Sequence, residues 1–211
     1  MVRLMNRRST CKNYGLLSVV VPMFNVAEYL PTLLDSIVTQ SYPYLEILLV
    51  DDGSTDATIS IARRYAKFDR RIRVLQLEHG GNGKARNVAV DHSTGQFLAF
   101  ADADDFVPQK AYQTMVESLA ASGSDFVVGG HTRLQGGRRL AVAMSDKLHA
   151  DRRIGISLHD MPEIIHDVFL WNKTYRAEFW RANVMPIPEG IRYEDQETTA
   201  RAYVRAACFD V

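Results

Sequence analysis

The chain has 211 residues, of which 46% are apolar and 24% charged, and its 25 Lys and Arg balance its 25 Asp and Glu. This is the composition of an ordinary globular protein with a sizeable core, without the basic footprint that nucleic-acid-binding proteins show. We therefore expect no nucleic-acid partner. No stretch reaches the roughly 18 apolar residues that a membrane-spanning helix needs.

The chain termini and cysteines predict a compartment. Cys11 and Cys208 lie near opposite ends and have no metal-ligand or redox spacing, which favours a reducing environment. The N-terminal stretch is basic but lacks the apolar core of a secretory signal. We expect a cytoplasmic protein, with a place at the inner face of the plasma membrane left open. The local basic segments at 3–12 and 133–139 are interpreted first as solvated faces, with contact to an anionic surface or polymer as the alternative.

Short apolar runs alternate with amphipathic segments between Leu16 and Gly130. The predicted strands are 16–22, 45–51, 72–77, 96–101 and 125–130. The predicted helices between them are 27–40, 56–68, 84–92 and 108–121. This alternation predicts an α/β fold with a mainly parallel sheet, whose ligands bind beyond the carboxyl ends of the strands.

The pattern changes after Gly130, with a turn at Gly136-Gly137. Further helices are predicted at about 162–169 and from Asp195 to about Arg205. Because the alternation stops, we expect the second part of the chain to be an added half that completes a site.

Two polar stretches follow predicted strands, and each also has a structural interpretation. VDDGSTD at 50–56 is typical of a turn in which Ser54, Thr55 or Asp56 caps the next helix. GGNGKARN at 80–87 favours anions at a helix start, reinforced by Lys84 and Arg86. It is not a phosphate-binding P-loop, because its glycine spacing differs and Ala85 stands where Ser or Thr would hold magnesium.

The stretch DADD at 102–105 follows the fourth predicted strand. Asp102 and Asp104 are two positions apart where the chain leaves the pleat, so both carboxylates can face one centre. Mg²⁺ and Mn²⁺ prefer oxygen ligands and are typically held by one or two carboxylates plus substrate phosphates. We favour such a metal over simple helix capping, a role that we leave to Asp105. By themselves, Glu194 and Asp195 favour an N-cap and 171–176 favours a turn with Trp171 buried.

Taken together, these stretches resemble the family 2 glycosyltransferases and their GT-A fold, a Rossmann-like nucleotide-sugar-binding sandwich. WNK followed by YED looks like the bacterial branch that decorates surface polysaccharides, capsules and wall teichoic acids. The resemblance covers about 16–203 and is carried, in order, by VVVPMFN, LLVDDGSTD, ARN, FADADD, WNKTYR and YEDQ.

The resemblance implies a role for each matching position. Donor binding falls on Pro22, Phe24, Asn25, Glu28, Asp52, Lys84, Arg86, Asp102 and Ala103. Asp104, together with Asp102, is expected to hold Mg²⁺ or Mn²⁺. Asp195 corresponds to the general base. The acceptor-side residues are Trp171, Asn172, Lys173 and Glu194.

The implied reaction is transfer of a sugar from a nucleotide-diphospho-sugar, expected to be UDP-linked, to a hydroxyl of a glycan or polyol-phosphate polymer. One base and no second nucleophile predicts inversion at the anomeric carbon. The implied organisation is an N-terminal extension at 1–14 and a catalytic domain at 15–211. Within that domain, 15–130 would bind the nucleotide sugar and 131–211 would face the acceptor.

Several features depart from the family pattern. Phe24 stands where Tyr is common, and His79 where Asn is common. No QxxRW motif follows Asp195, which argues against a processive polymerase. Relatives usually continue beyond a position like Val211, so we expect a truncated acceptor side, with a homo-oligomer through the missing part left open.

Two other functions stay open as alternatives. One is a truncated nucleotide-sugar-binding module without turnover. The other, ranked lower because its glycine- and arginine-rich signature is absent, is a nucleotidyltransferase that releases pyrophosphate.

Overall fold

The structure is a computed structural model, and it describes residues 11–135 and 138–211. Residues 1–10 of the predicted N-terminal extension and the predicted Gly136-Gly137 turn lie outside the described residues. Within the described ranges, no helix combines the length and apolar character needed to cross a bilayer.

The first half of the chain builds the parallel part of the sheet. Its strands are β1 (Leu17–Met23), β2 (Leu45–Asp51), β3 (Ile72–Gln76), β4 (Phe97–Phe100) and β5 (Phe126–Val128). The helices between them are α1 (Leu30–Val38), α2 (Thr58–Phe68), α3 (Asn82–His92) and α4 (Ala111–Ser122). β1 pairs in parallel with β2 and β4, and β2 pairs in parallel with β3.

The second half adds strands to the same sheet. Its elements are β6 (Arg133–Gln135), β7 (Arg138–Leu140), α5 (Ala143–Leu148), a 3-10 helix (Pro162–His166), β8 (Lys173–Arg176), α6 (Ala177–Asn183), α7 (Glu194–Arg205) and β9 (Phe209–Asp210). β8 lies antiparallel between β4 and β5, and β9 extends the edge beyond β5. The strand order is β3-β2-β1-β4-β8-β5-β9, while β6 and β7 form a separate hairpin. The predicted α/β class and mainly parallel sheet are confirmed.

Apolar residues cover both faces of the sheet. All seven residues of β1 are buried, and its alternate side chains enter opposite layers. Leu17, Val19 and Val21 pack in the layer that contains α1, whereas Val20 packs in the layer that contains α3 and α6. Because helices cover both faces, the exposed backbone at the strand ends is the natural place for a site.

Three local predictions are wrong. The helix predicted at 162–169 is a short 3-10 helix, since its C-cap residue Asp167 turns away to join a buried network. The turn predicted at 171–176 is largely strand β8, because its backbone pairs with β4 and β5. Asp105 is not the cap of the following helix, because α4 begins only at Ala111, with Lys110 as its N-cap residue.

Candidate active site

The polar residues singled out from the sequence gather at one edge of the sheet. β1, β2 and β4 are parallel, so the turns that carry Asn25, Asp52 and Asp102 follow their carboxyl ends. β8 runs the opposite way, so its first residue, Lys173, pairs with Val128 at the end of β5. The chain reversal therefore brings WNK to the same edge as the aspartates.

The turn after β1 is fastened to the turn after β2 by Asn25. Its Oδ1 accepts hydrogen bonds from the backbone N–H groups of Thr55 at 2.8 Å and Asp56 at 3.3 Å. Its own N–H donates to Ser54 Oγ at 3.0 Å. Asn25 adopts a left-handed φ of 53°, which Asn tolerates better than most residues. These bonds hold the neighbouring Phe24, which is 41% exposed, at the rim of the edge.

The carboxylate of Asp52 is buried and bound to the glycine-rich turn. Its Oδ1 and Oδ2 accept from the N–H groups of Gly80 and Gly81, each at 2.8 Å. His79 Nδ1 lies 2.9 Å from Asp52 Oδ2. The His79 ring in turn stacks on Phe24, with centroids 4.3 Å apart. The two departures from the family pattern thus touch each other, which could not be read from their separation in sequence.

The start of α3 is open to an anion. Gly81, its N-cap residue, has a φ of 89° and offers no side-chain cap, so the first N–H groups of α3 have no acceptor from an N-cap side chain. Lys84 lies across the turn, because a Cβ added at Gly80 would meet Lys84 Cδ at 2.3 Å. Its Nζ is 3.3 Å from the carbonyl oxygen of Glu78. A positive charge is thereby held beside the open helix end.

Three other predicted donor-binding residues differ in accessibility. Pro22 is buried within β1, at a position where β4 no longer pairs. Ala103 is buried between the two aspartates that flank it. Glu28 is exposed on the approach to α1. Pro22 and Ala103 can shape the edge but present little side-chain surface to a ligand.

Arg86 connects the two halves of the site. Its Nη2 donates to Asp102 Oδ1 at 2.7 Å, and its Nη1 donates to Glu194 Oε1 at 2.6 Å. The Arg86 side chain is only 5% exposed, and its bond to Glu194 is buried, whereas its bond to Asp102 is partly exposed. Its Nε is buried and has no hydrogen-bond partner among the described residues. The guanidinium therefore holds the end of β4 against the start of α7.

The same face of α3 also holds the segment that leads to α7. Asn87 Nδ2 donates to the carbonyl oxygen of Ile187 at 2.9 Å and to Glu189 Oε1 at 2.8 Å. Asn87 Oδ1 accepts from the Ile187 N–H at 2.9 Å. At Gly83, an added Cβ would lie 2.1 Å from the carbonyl oxygen of Pro188. A glycine is needed here because the segment presses directly on the helix.

Asp195 is the second residue of α7 and is half-buried. Its Oδ1 accepts from the Gln196 N–H at 3.0 Å. Tyr193, just before the helix, has a left-handed φ of 62°, a strained backbone of the kind that collects at functional sites. Burial, and then the neighbouring Glu194, raise the pKa of Asp195 above its usual range against the opposing charge of Arg86. A raised pKa suits a carboxylate that must accept a proton near neutral pH.

The aspartates after β4 are crowded. Asp102 is half-buried and Asp104 is exposed. Burial and the charges of Asp102 and Asp104 raise the pKa of Asp105 to about 7. Within 11–135 and 138–211, no group of three or more His, Cys, Asp or Glu side chains is placed to hold a metal ion. Two carboxylates alone still fit a divalent ion whose other ligands are substrate phosphates.

The residues predicted on the acceptor side form a buried network around Asp167. Lys173 has no exposed surface, and its Nζ donates to the Asp167 carboxylate, to Phe169 O at 2.5 Å and to Asn172 Oδ1 at 2.9 Å. His149 Nε2 lies 2.9 Å from Asp167 Oδ2. Burial lowers the pKa of Lys173 to about 8. Asn172 and Lys173 therefore cannot touch an acceptor directly in this arrangement.

Asp167 and His149 were missed from the sequence. Although burial opposes it, the hydrogen bond from His149 and the charge of Lys173 lower the pKa of Asp167 to about 2. Neither residue stands in a motif, and only the insertion of β8 brings them together. Trp171, expected to be buried, is half-exposed and packs with Phe169 at 5.2 Å.

The comparisons with known proteins fit this geometry. The profile described as "Glycosyl transferase family 2" matches residues 18–180. The chain therefore belongs to glycosyltransferase family 2.

Two relatives of this chain are bacterial glycosyltransferases. It is 34% identical over 200 residues to the uncharacterized glycosyltransferase EpsJ of Bacillus subtilis, covering 90% of this chain and 57% of EpsJ. It is 30% identical over 193 residues to the poly(ribitol-phosphate) beta-N-acetylglucosaminyltransferase TarS of Staphylococcus aureus, covering 90% of this chain and 32% of TarS. The chain thus spans 32% of the length of TarS and 57% of the length of EpsJ.

Solved structures show the same fold. A crystal structure of S. aureus TarS residues 1–349 in complex with UDP-GlcNAc superposes with a TM-score of 0.82 at 30% identity, over 93% of this chain and 55% of that one. The mannosyltransferase PcManGT of Pyrobaculum calidifontis, at 22% identity and a TM-score of 0.67 over 89% of this chain and 52% of that one, shows the fold alone. The expected GT-A fold is confirmed.

Proposed function

We propose that this chain transfers a sugar from a UDP-linked donor to a hydroxyl of a cell-surface glycan or teichoic-acid-type polymer, with inversion and with Asp195 as general base. The observation that carries the proposal is the position of Arg86. Its guanidinium bonds to Asp102 on one side and to Glu194, next to Asp195, on the other. With Asp102 taken as the donor-binding carboxylate and Asp195 as the base, one buried cation links the two segments that carry them.

Support for a nucleotide donor comes from the turns around Asp52. The TarS structures include complexes with UDP and UDP-GlcNAc, and this chain shares their fold. Here Asp52, His79 and the exposed ring of Phe24 would meet the nucleobase. The open end of α3, with Lys84 beside it, would meet the diphosphate, since a helix N-terminus favours negative charge.

Asp104 and Asp102 are the residues that would hold a divalent metal, Mg²⁺ or Mn²⁺. When bound, such an ion neutralises the negative charge that develops on the leaving diphosphate. Asp104 is exposed, while one oxygen of Asp102 is already bound by Arg86. Asp104 would therefore supply the direct ligand, and Asp102, fixed by Arg86, would orient the ribose or the metal's outer contacts.

Asp195 would accept the proton of the attacking hydroxyl. The pKa of Asp195 is raised and so lies closer to neutral pH than that of an ordinary carboxylate, which suits general-base catalysis. Attack from the side opposite the leaving diphosphate, without a second nucleophile, gives inversion. The polymer acceptor is inferred from the name of TarS, and Trp171 would form part of the surface that it meets.

The experiment compares Asp195→Asn with Asp104→Asn in the chain. Release of UDP from a UDP-linked sugar is measured in the presence of a teichoic-acid-type acceptor. Binding of UDP itself is measured by titration with and without Mn²⁺. We expect Asp195→Asn to lower kcat by about 10²–10⁴-fold with nucleotide binding unchanged. Asp104→Asn should instead weaken the Mn²⁺-dependent part of UDP binding.

The alternatives predict different results. A donor-binding module would bind UDP, but it would not release UDP from a UDP-linked sugar with any acceptor. A nucleotidyltransferase would release pyrophosphate. Near-normal turnover in Asp195→Asn would overturn the assignment of the base.

A further inference from the structure

A strongly basic stretch lies at the end of α2. Residues 63–73 read RRYAKFDRRIR, which is six Lys and Arg against a single Asp, although the whole chain is neutral. We call these residues the basic stretch. So uneven a distribution produces a local positive field, although the chain as a whole carries no net charge.

The charges of the basic stretch are only partly neutralised within the fold. Asp69, its one acid, is already bound by Arg71 at 2.6 Å. Arg64, Lys67 and Arg70 are exposed and make no hydrogen bond or ion pair with residues in the described part of the chain. These three side chains therefore face solvent without a direct ion pair, although the charge of Arg70 also acts on Asp69.

An aromatic ring stands among these cations. Phe68, the last residue of α2, is 85% exposed. Phe68 lines two surface clefts, of about 350 and 570 Å³. The buried residues of α2 are Thr58 and Ala62, and the fold does not need the Phe68 ring for its core. The ring is therefore free to contact something outside the fold, and it matters here because it stands among unpaired cations.

The basic stretch is remote from the candidate active site. Its residues 67–71 directly precede β3, which begins at Ile72, and therefore lie at the amino edge of the parallel strands, whereas Arg63 bonds to Gln76 at the other end of β3. The candidate site lies at their carboxyl edge. A partner can cover the basic stretch while the site stays open, so this surface is independent of donor binding.

We propose that the basic stretch docks on a membrane with anionic headgroups, with Phe68 entering the boundary between headgroups and acyl chains. Exposed cations attract an anionic leaflet, by about fivefold in partitioning for each Lys or Arg near the surface. Phe beside Lys and Arg is the combination found on membrane-surface elements. A soluble polyanion would use the cations but not the ring. A second copy of the chain would bring two positive surfaces together.

The test is co-sedimentation with vesicles of phosphatidylcholine, alone or mixed with phosphatidylglycerol. We expect binding only to the anionic vesicles, and weaker binding at high salt. Phe68→Ala should lower partitioning about tenfold, since burying such a side chain is worth about that factor or more. Replacing Arg64, Lys67 and Arg70 together by Gln should lower it about a hundredfold.

The matched control is the β6–β7 hairpin, which is also basic and exposed. Arg133, Arg138 and Arg139 together changed to Gln, and separately Leu134→Ala, alter the same charge and a similar apolar exposure elsewhere. These variants should bind vesicles normally. Unchanged thermal unfolding of every variant shows that the fold is intact.

Several outcomes would overturn the proposal. Equal binding to neutral and anionic vesicles would show that the cations do not drive the contact. Two results together would indicate a soluble polyanion as the partner. Heparin binding would require the cations, and Phe68→Ala would leave vesicle binding unchanged. If only the hairpin variants lost vesicle binding, the membrane contact would lie on the β6–β7 hairpin and not on the basic stretch. Self-association that depends on Phe68, without vesicle binding, would indicate a second copy.

Discussion

The donor end and the catalytic end of the candidate site are held in place by different kinds of contact. At the donor end (22–28, 52–56 and 79–84), turns bond to turns, as when Asn25 accepts from Thr55 only 30 positions away. At the catalytic end (187–195), the chain depends on side chains of α3. Arg86 reaches Glu194 across 108 positions, and Asn87 reaches Ile187 across 100. The donor end can therefore stay intact when the catalytic end is displaced.

The strongest test of this comparison is removal of the Arg86 charge. Arg86→Met leaves Glu194 buried beside Asp102 with no cation between them. Breaking a buried ion pair by removing one partner typically costs about 3–5 kcal/mol, so we expect a loss of that size in the free energy of unfolding. Urea unfolding measures it.

A double variant separates charge from packing in this test. Arg86→Met with Glu194→Gln removes the uncompensated carboxylate, so part of the lost stability should return. UDP should still bind to the folded fraction of the single variant, but more weakly, because Arg86 also holds the donor-side carboxylate of Asp102. A single variant as stable as the wild type would contradict the role given to Arg86.

The network beneath the catalytic end should respond to acid. The pKa of Asp167 is lowered to about 2 in the folded chain from 3.8. A depressed carboxylate pKa stabilises the fold above the unfolded value, and this stability is lost as pH falls through the folded value. About 2 kcal/mol should therefore disappear between roughly pH 4 and pH 2.

Asp167→Asn should remove this acid-dependent loss while lowering stability at neutral pH, because Lys173 then lacks its counter-charge. The measurement is the free energy of unfolding in urea at a series of pH values. An equally steep loss in wild type and variant between pH 4 and pH 2 would show that other carboxylates dominate.

At the donor end, Asn25 connects the turn after β1 to the turn after β2. Asn25→Ala removes the acceptor for Thr55 N–H and places Ala at a φ of 53°. We expect a loss of about 1–2 kcal/mol in unfolding free energy and weaker UDP binding, with kcat at saturating donor less affected.

Asn25→Gly is the control, since glycine adopts this φ freely but cannot accept the hydrogen bond. If the bond matters, both variants bind UDP more weakly. If only the backbone conformation matters, Asn25→Gly binds UDP as the wild type does. A fall in kcat without weaker UDP binding would contradict the separation of the two ends.

The donor end was the more predictable from sequence. Its residues follow strands whose apolar runs are visible in the sequence, and parallel strands bring their carboxyl ends to one edge. The partners that hold them were less visible, because the contact of His79 with Asp52 and Phe24 depends on the turn that brings them together.

The contacts that hold the catalytic end could not be predicted from sequence patterns. Asp195 was identified by its motif, but its connection to α3 through Arg86 and Asn87 is a long-range contact without periodicity. The sequence of β8 predicts a turn, because a short strand buried between two others has no alternation to reveal it. Asp167 could only be recognised once β8 was in place.

The subtlest expected effect is a displaced pH profile in Glu194→Gln. Burial is the main cause of the raised pKa of Asp195, and the charge of Glu194 adds to it while Arg86 opposes it. Removing the Glu194 charge should therefore lower the pKa of Asp195. A general base must be ionised, so kcat falls as pH drops through its pKa, and the acidic limb should move to lower pH.

Glu197→Gln is the matched control for this pH profile. Glu197 lies in the same first turn of α7 and carries the same charge, but it is exposed and bonds to Arg201 at 2.5 Å. Its removal should leave the acidic limb in place. If both variants move the limb equally, the cause is the net charge of the helix start. If Glu194→Gln moves it to higher pH, Glu194 acts chiefly by keeping Arg86 against Asp195, because a displaced Arg86 would no longer lower the pKa of that carboxylate.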